Sequence, residues 1–142
     1  MDQNIYFPTV ADIEKASAKL EEIIEPTPNQ YNAHFSAKYG CNVFLKREVL
    51  QMVRSYKIRG AYNKISSIAP DVLRYGIVCA SAGNHAQGVA FSCNKLKILG
   101  SIYMPVTTPR QKIEAVNMFG KQYVDIVLTG DTFDEANEAA QK

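Results

Sequence analysis

Gly76-Ile-Val-Cys-Ala-Ser-Ala-Gly-Asn-His-Ala-Gln-Gly88 opens with a short apolar run, turns through a glycine, and continues with apolar residues at helical spacing as far as Leu96. An apolar run this short, bounded by turn residues, reads as a strand, and the spacing over His85 to Leu96 predicts a helix. The unit recurs twice. Gly100 to Met104 is followed by a helix with Thr108 as cap, Pro109 in its first turn and Gly120 at its end. Tyr123 to Leu128 is followed by Thr129-Gly130 and a helix opened by Asp131 or Thr132, with Asp134 and Glu135 where the helix dipole favours acids. Strands alternating with helices of ~10 residues imply right-handed crossovers and a parallel sheet. The predicted class is α/β, with parallel sheets flanked by helices.

Upstream the pattern is less regular. Thr9-Val-Ala-Asp12 has the form of a capping box, and Val10, Ile13, Ala16, Leu20 and Ile24 follow at helical spacing, predicting a helix over 10–24 that ends before Pro26 and Pro28. Asn32 to Tyr39 predicts a short helix closed by Gly40 in the left-handed conformation, and Asn42 to Lys46 a strand. At the other end, Asp134 to Lys142 contains neither glycine nor proline and reads as helix to its last residue. A doubly wound sheet continues to further strands, so the expectation is an α/β fold incomplete at its C-terminus, that is, a fragment.

The chain has 142 residues, 46% hydrophobic and 21% charged, which fits one globular domain or a piece of one and excludes collagen-like, disordered and disulfide-scaffold classes. Its apolar runs are far shorter than the ~20 residues of a membrane helix, and a cytoplasmic protein with no membrane partner is expected. Cys41, Cys79 and Cys93 have no C-x-x-C spacing and read as reduced thiols. The net charge of +2 hides an uneven distribution: residues 1 to 25 carry six acids and two bases, whereas residues 38 to 112 carry twelve bases and two acids. Those bases are scattered among apolar runs and form no block, which favours a small phosphorylated or carboxylated ligand over nucleic acid.

Two segments carry chemistry. After Leu45-Lys-Arg-Glu-Val-Leu-Gln51, the stretch Ser55-Tyr-Lys-Ile-Arg-Gly-Ala-Tyr-Asn63 places Lys57 and Arg59 at the opening of a helix predicted to run to about Ile68. The positive end of a helix dipole disfavours an ammonium, and a cation two residues away adds to the effect, so both favour the free amine of Lys57. A nucleophilic lysine of this kind suits Schiff-base chemistry with an aldehyde; solvated first-turn cations fit the same local sequence. In the second, Ser81-Ala-Gly-Asn-His-Ala-Gln-Gly88, unpartnered N–H groups of a first helical turn, Gly83, and the side chains of Ser81 and Asn84 make an anion pocket or an ordinary strand-to-helix turn. There is no G-x-G-x-x-G dinucleotide fingerprint. His85 is a possible base or a local hydrogen-bonding residue, no cluster has metal-ligand spacing, and no metal is expected.

Together, in this order and with Leu45-Lys-Arg-Glu48 before them and Met104-Pro, Lys112 and Gly130-Asp-Thr-Phe-Asp-Glu-Ala136 after them, the two segments resemble the threonine dehydratase group of fold type II pyridoxal-phosphate enzymes. The resemblance implies that Lys57 holds pyridoxal phosphate as a Schiff base and that Asn84 hydrogen-bonds the cofactor's 3-hydroxyl. Ser81, Gly83, Asn84 and His85 would receive the substrate's α-carboxylate. The implied activity is conversion of L-threonine to 2-oxobutanoate and ammonia, in isoleucine biosynthesis or threonine catabolism, by an enzyme that is homo-oligomeric at full length and of which this portion alone is inactive. It also implies that residues 1–65 belong to a large cofactor domain and 66–142 to most of a smaller one. Serine dehydratase and serine racemase share both motifs, and a truncated, non-enzymatic remnant or a nucleotide-binding α/β domain are the other readings. The sequence departs from the family pattern at Val49, where an acid is usual, and at Tyr56, where phenylalanine is common.

Overall fold

A computed structural model of the chain describes residues 6–142. Three parallel strands form its largest sheet: β3 (Ile77–Ala80), β4 (Gly100–Met104) and β5 (Val124–Leu128), in the order β3-β4-β5. Ile77 is in register with Gly100, Ile102 with Cys79 and Ile126, and Gly100 with Val124. The crossovers are α5 (Asn84–Leu96) and α6 (Arg110–Gly120), which pack on each other, while α7 (Phe133–Ala140) turns back across β3 and β4. Fully buried Ile102 and Met104 meet Ala86, Ala90, Cys93 and Val116 in the main core. Burial of one such aliphatic side chain contributes about 1.5 to 3 kcal/mol.

The first part of the chain is built differently. α1 (Val10–Leu20) starts at the capping box predicted for Thr9 and Asp12, and α2 (Ala33–Tyr39) lies between Asn32 as cap and Gly40 at φ +64°. β1 (Asn29–Tyr31) and β2 (Phe44–Lys46) form a small antiparallel sheet, with the Tyr31 and Phe44 rings edge to face at 5.6 Å. α3 (Lys57–Ile65) joins the two parts. Its Ala61 and Ile65 face the main core, whereas Ile58 and Tyr62 enter a second cluster with Leu20, Ile24 and Val53. Gly88 of α5 permits the joint: a Cβ there would stand 3.3 Å from the Ile58 Cα and 3.3 Å from the Ala61 Cβ.

The elements differ from expectation mainly at their ends. α1 stops at Leu20 and continues only as a turn in which the Ile23 and Ile24 N–H groups donate to the Leu20 carbonyl, because Glu21, Glu22 and Glu25 oppose the negative end of the dipole. α3 stops at Ile65 where Ser66 and Ser67 hydroxyls donate to the Asn63 carbonyl, a local bond that competes with the helix. Thr108 does not cap α6: Pro109, with an extended ψ of 134°, occupies the cap position and the helix begins one residue later. Thr132 does cap α7, in a capping box with Glu135. β5 begins at Val124, since Lys121–Tyr123 form a turn of 3-10 helix. Two elements had no sequence signal: β1, three exposed residues, and α4 (Pro70–Leu73), a single turn.

Candidate active site

The loop into α3 is set by a buried amide. Gln51, 2% exposed, donates from Nε2 to the Glu25 carbonyl at 2.9 Å, and its backbone carbonyl accepts the Arg54 N–H at 2.7 Å. Arg54 takes the left-handed conformation at φ +54°, a strained position for a residue with a side chain. The helix then begins at Lys57, whose N–H donates to Ser55 Oγ at 3.3 Å. The Lys57 side chain is exposed, with Nζ 5.3 Å from the centroid of the Tyr56 ring. Among the described residues it forms no ion pair.

Arg59 does not press its charge on Lys57 as expected. Its Nε and Nη2 each donate to the Glu48 carboxylate at 2.8 Å, which offsets the guanidinium charge within the first turn. Glu48 also accepts the Thr27 hydroxyl. The Arg59 guanidinium is the main cause that holds the Glu48 carboxyl down at about 2, so the pair stays ionised through the neutral range. The sequence contained the two opposite charges, but eleven positions apart and on different elements, where no helical spacing pairs them.

The loop Ser81 to Gly83 leaves the C-terminal end of β3 and enters α5. Gly83 is the cap residue of α5 and provides no side-chain acceptor; a Cβ on it would meet nothing within 4 Å. The positive end of a helix of 13 residues therefore opens toward free space, with the exposed Asn84 and His85 in its first turn. Ser81 Oγ takes the Gly83 N–H at 3.4 Å. Burial, and then the positive charge of Lys57, push the His85 imidazole below its ordinary value. Lys57 and His85, 28 positions apart, are thus electrostatic neighbours, and Gly88 seated on Ile58 is the packing that makes them so.

Two grooves flank this junction. One of about 360 Å³ joins Asn84 and Gln87 to Met52, Val53 and Arg54 of the loop and to Gln111 and Lys112 of α6. The other, about 420 Å³, joins His85 and Val89 to Gly60, Ala61 and Lys64 of α3 along the open edge of β3. A cavity of about 480 Å³ beside α1 is bordered by Glu14, Glu21 and Glu25 and by Lys46 and Arg59, and holds none of the four loop residues. The donor set at the junction is an amine without a carboxylate partner, an uncapped helix N-terminus and an exposed amide, which suits an aldehyde-bearing anion. Among the described residues no group of three His, Cys, Asp or Glu side chains is arranged to hold a metal ion, and no helix is long and apolar enough to cross a membrane. Cys79 and Cys93 are buried free thiols, pushed up to about 11 by burial, and Cys41 is exposed.

A family model described as "Pyridoxal-phosphate dependent enzyme" matches residues 20–142. The chain is 56% identical over 133 residues to the biosynthetic L-threonine dehydratase IlvA of Halalkalibacterium halodurans, covering 93% of this chain and 32% of that protein. It spans about a third of the length of the curated relatives it matches. Among solved structures, the processed form of threonine deaminase isoform 2 from Solanum lycopersicum superposes with a TM-score of 0.78 at 37% identity, over 94% of this chain and 38% of that one. Maize serine racemase superposes with a TM-score of 0.86 at 27% identity, over 96% and 40%.

Proposed function

The chain belongs to the pyridoxal-phosphate dependent enzyme family, and on that premise we propose that its residues serve the dehydration and deamination of L-threonine to 2-oxobutanoate and ammonia. The observation that carries this reading is the seating of α3 on α5 at Gly88 and Ile58, which supports a site shared by the start of α3, where Lys57 lies, and the uncapped start of α5, where the charge of Lys57 acts on His85. The residues fit the cofactor: Lys57 has no carboxylate partner among the described residues, and the space beyond Gly83 is open to a ligand. Lys57 would hold it through Nζ, and the Asn84 amide would donate to its phenolic oxygen.

Bound pyridoxal phosphate supplies an electron sink that stabilises negative charge at the substrate's Cα. Ser81, Gly83, Asn84 and His85 receive the α-carboxylate, whose charge the positive end of α5 favours. Lys57, once its amine is free, is the base that takes the Cα proton at Nζ. His85, with its proton affinity lowered by burial and by Lys57, is neutral near pH 7 and adds no competing cation to that loop.

The substrate assignment to threonine is supported by the dehydratase relatives at 53 to 56% identity. The likeness to maize serine racemase makes serine a second substrate to assay. We further assign residues 1–65 to a larger and 66–142 to a smaller domain of the whole enzyme, supported by the separate β1–β2 and β3–β5 sheets. Homo-oligomerisation and a cytoplasmic location of that enzyme belong to the same proposal. Incubation with pyridoxal phosphate, borohydride reduction and peptide mapping tests the core of it: the label is expected on Lys57, and label concentrated on any other lysine sinks the reading.

A further inference from the structure

Glu48 stands outside the loop and the lysine just described, yet it ties together three segments that converge on α3. Its carboxylate accepts Arg59 Nε and Nη2 at 2.8 Å each and also the Thr27 hydroxyl, while Lys46 Nζ donates to the Thr27 carbonyl. Glu48 opens the short 3-10 turn Glu48–Leu50 that follows β2, and its carboxylate fastens that turn to the turn before β1 and to the first turn of α3. α3 needs such a fastening from outside. It has no side-chain cap and no acid in its first turn, and its first three residues carry two cations at the end of the helix where cations are unfavourable. Glu48 returns the missing negative charge through Arg59, in a pair whose side chains are 17% and 34% exposed and which water therefore screens in part.

We propose that Glu48 is a positioning residue: through the two-pronged bond to Arg59 it fixes the first turn of α3 against the turn Glu48–Leu50 and so sets the direction in which Lys57 presents its amine. The proposal rests on the assignment of Lys57 as the cofactor lysine. A planar guanidinium gripped by both carboxylate oxygens is fixed in orientation as well as in place, which a single bond from an ammonium does not achieve. Lys57 lies two residues before Arg59 on the same turn, so a rotation of that turn moves its amine directly.

The chain of residues 1–142 is treated with pyridoxal phosphate, reduced with borohydride and mapped, comparing wild type with Glu48→Gln and Arg59→Lys. Glu48→Gln keeps the shape and removes the charge. Arg59→Lys keeps the charge and a single bond to Glu48, and with them the fold, but removes the fork. In both, the share of label on Lys57 falls roughly tenfold or more, as a misplacement of about 1 Å does to a reacting group, and the remainder spreads to exposed lysines such as Lys64 and Lys95. A residue that only stabilises the fold lowers the melting temperature without redistributing label among the lysines of the folded protein. Folded variants that keep the label on Lys57 overturn the proposal; should Glu48→Gln fail to fold by circular dichroism, Arg59→Lys decides. Label away from Lys57 in the wild type overturns the lysine assignment itself, and this proposal with it.

Discussion

The parallel half of the molecule and the half that precedes it reach order by different means. Between Ile77 and Ala140 each strand is followed by a helix, and fully buried Ile102, Met104, Ala86, Ala90 and Cys93 close the core with apolar atoms. Between Thr9 and Tyr56 the strands are three residues long, and exposed Tyr31, Phe35, Tyr39 and Phe44 lie on the surface. There the small apolar cluster of Leu20, Ile24 and Val53 is supplemented by polar connections: Gln51 to the Glu25 carbonyl, Glu48 to Thr27 and Arg59, and Lys46 to the Thr27 carbonyl. The difference teaches where each half is vulnerable. A scaffold held by burial fails when volume is removed, whereas one held by charge-assisted bonds fails when a proton neutralises the acceptor. The candidate site lies on the seam, with Lys57 at the start of α3 and the uncapped helix end of α5.

Ile102→Ala strikes the apolar half and has the largest expected effect. Ile102 is fully buried at the centre of the sheet, and truncation of such a residue costs about 2 to 5 kcal/mol. Urea unfolding followed by circular dichroism should show the loss as a shift in midpoint with a single transition, because α3 sends side chains into both clusters. Two separated transitions would break the picture of a shared helix. Gly88→Ala strikes the seam. The new methyl group would lie 3.3 Å from the Ile58 Cα and the Ala61 Cβ, so α3 must give way by a few tenths of an ångström, at about 1 to 3 kcal/mol. Unlike Ile102→Ala, it should lower labelling of Lys57 by pyridoxal phosphate in protein that remains folded; unchanged labelling would mean that the seam does not set the site.

Legibility in the sequence divides along the same seam. Regular apolar runs and glycine turns announced β3, β4, β5 and the three helices after them, although Val78 of β3 and Leu128 of β5 are exposed. The two site segments were legible as well, Lys57 at a helix start and Ser81 to Gly88 at a strand-to-helix junction, because each is local. The hidden features were long-range or polar. The Glu48 to Arg59 bond and the Gly88 to Ile58 contact join distant positions, and β1 is too short and too exposed to leave a pattern. Pro109 displaced Thr108 as the start of α6 because its extended ψ delays the first helical residue, a matter of backbone geometry that composition does not reveal.

The smallest expected effect is also the one that separates the two halves most directly. Glu48 in the folded chain is held at about 2, below the 4.5 of an unpaired glutamate, so folding keeps it ionised where the unfolded chain would take up a proton. Its contribution to stability is therefore complete above about 4.5 and is lost as pH falls toward 2. For a pair that is partly screened by water this amounts to about 1 to 2 kcal/mol. Amide hydrogen exchange at pH 6 and at pH 3, corrected for the intrinsic rate, should show protection lost first in β2 and the first turn of α3, while the amides of β4 stay protected. The core around β4 has little to lose on acidification: Ile102, Met104 and Val116 carry no titrating group, the Cys79 and Cys93 thiols, at about 11, remain protonated throughout, and the groups of this half held below their ordinary values, Glu135 and His85, lie at the starts of α7 and α5. In Glu48→Gln the acid-dependent loss in α3 should disappear, because the side chain no longer titrates. Equal loss of protection in β4 and α3 would show that acid weakens the whole molecule and that the polar fastening is not confined to the first half.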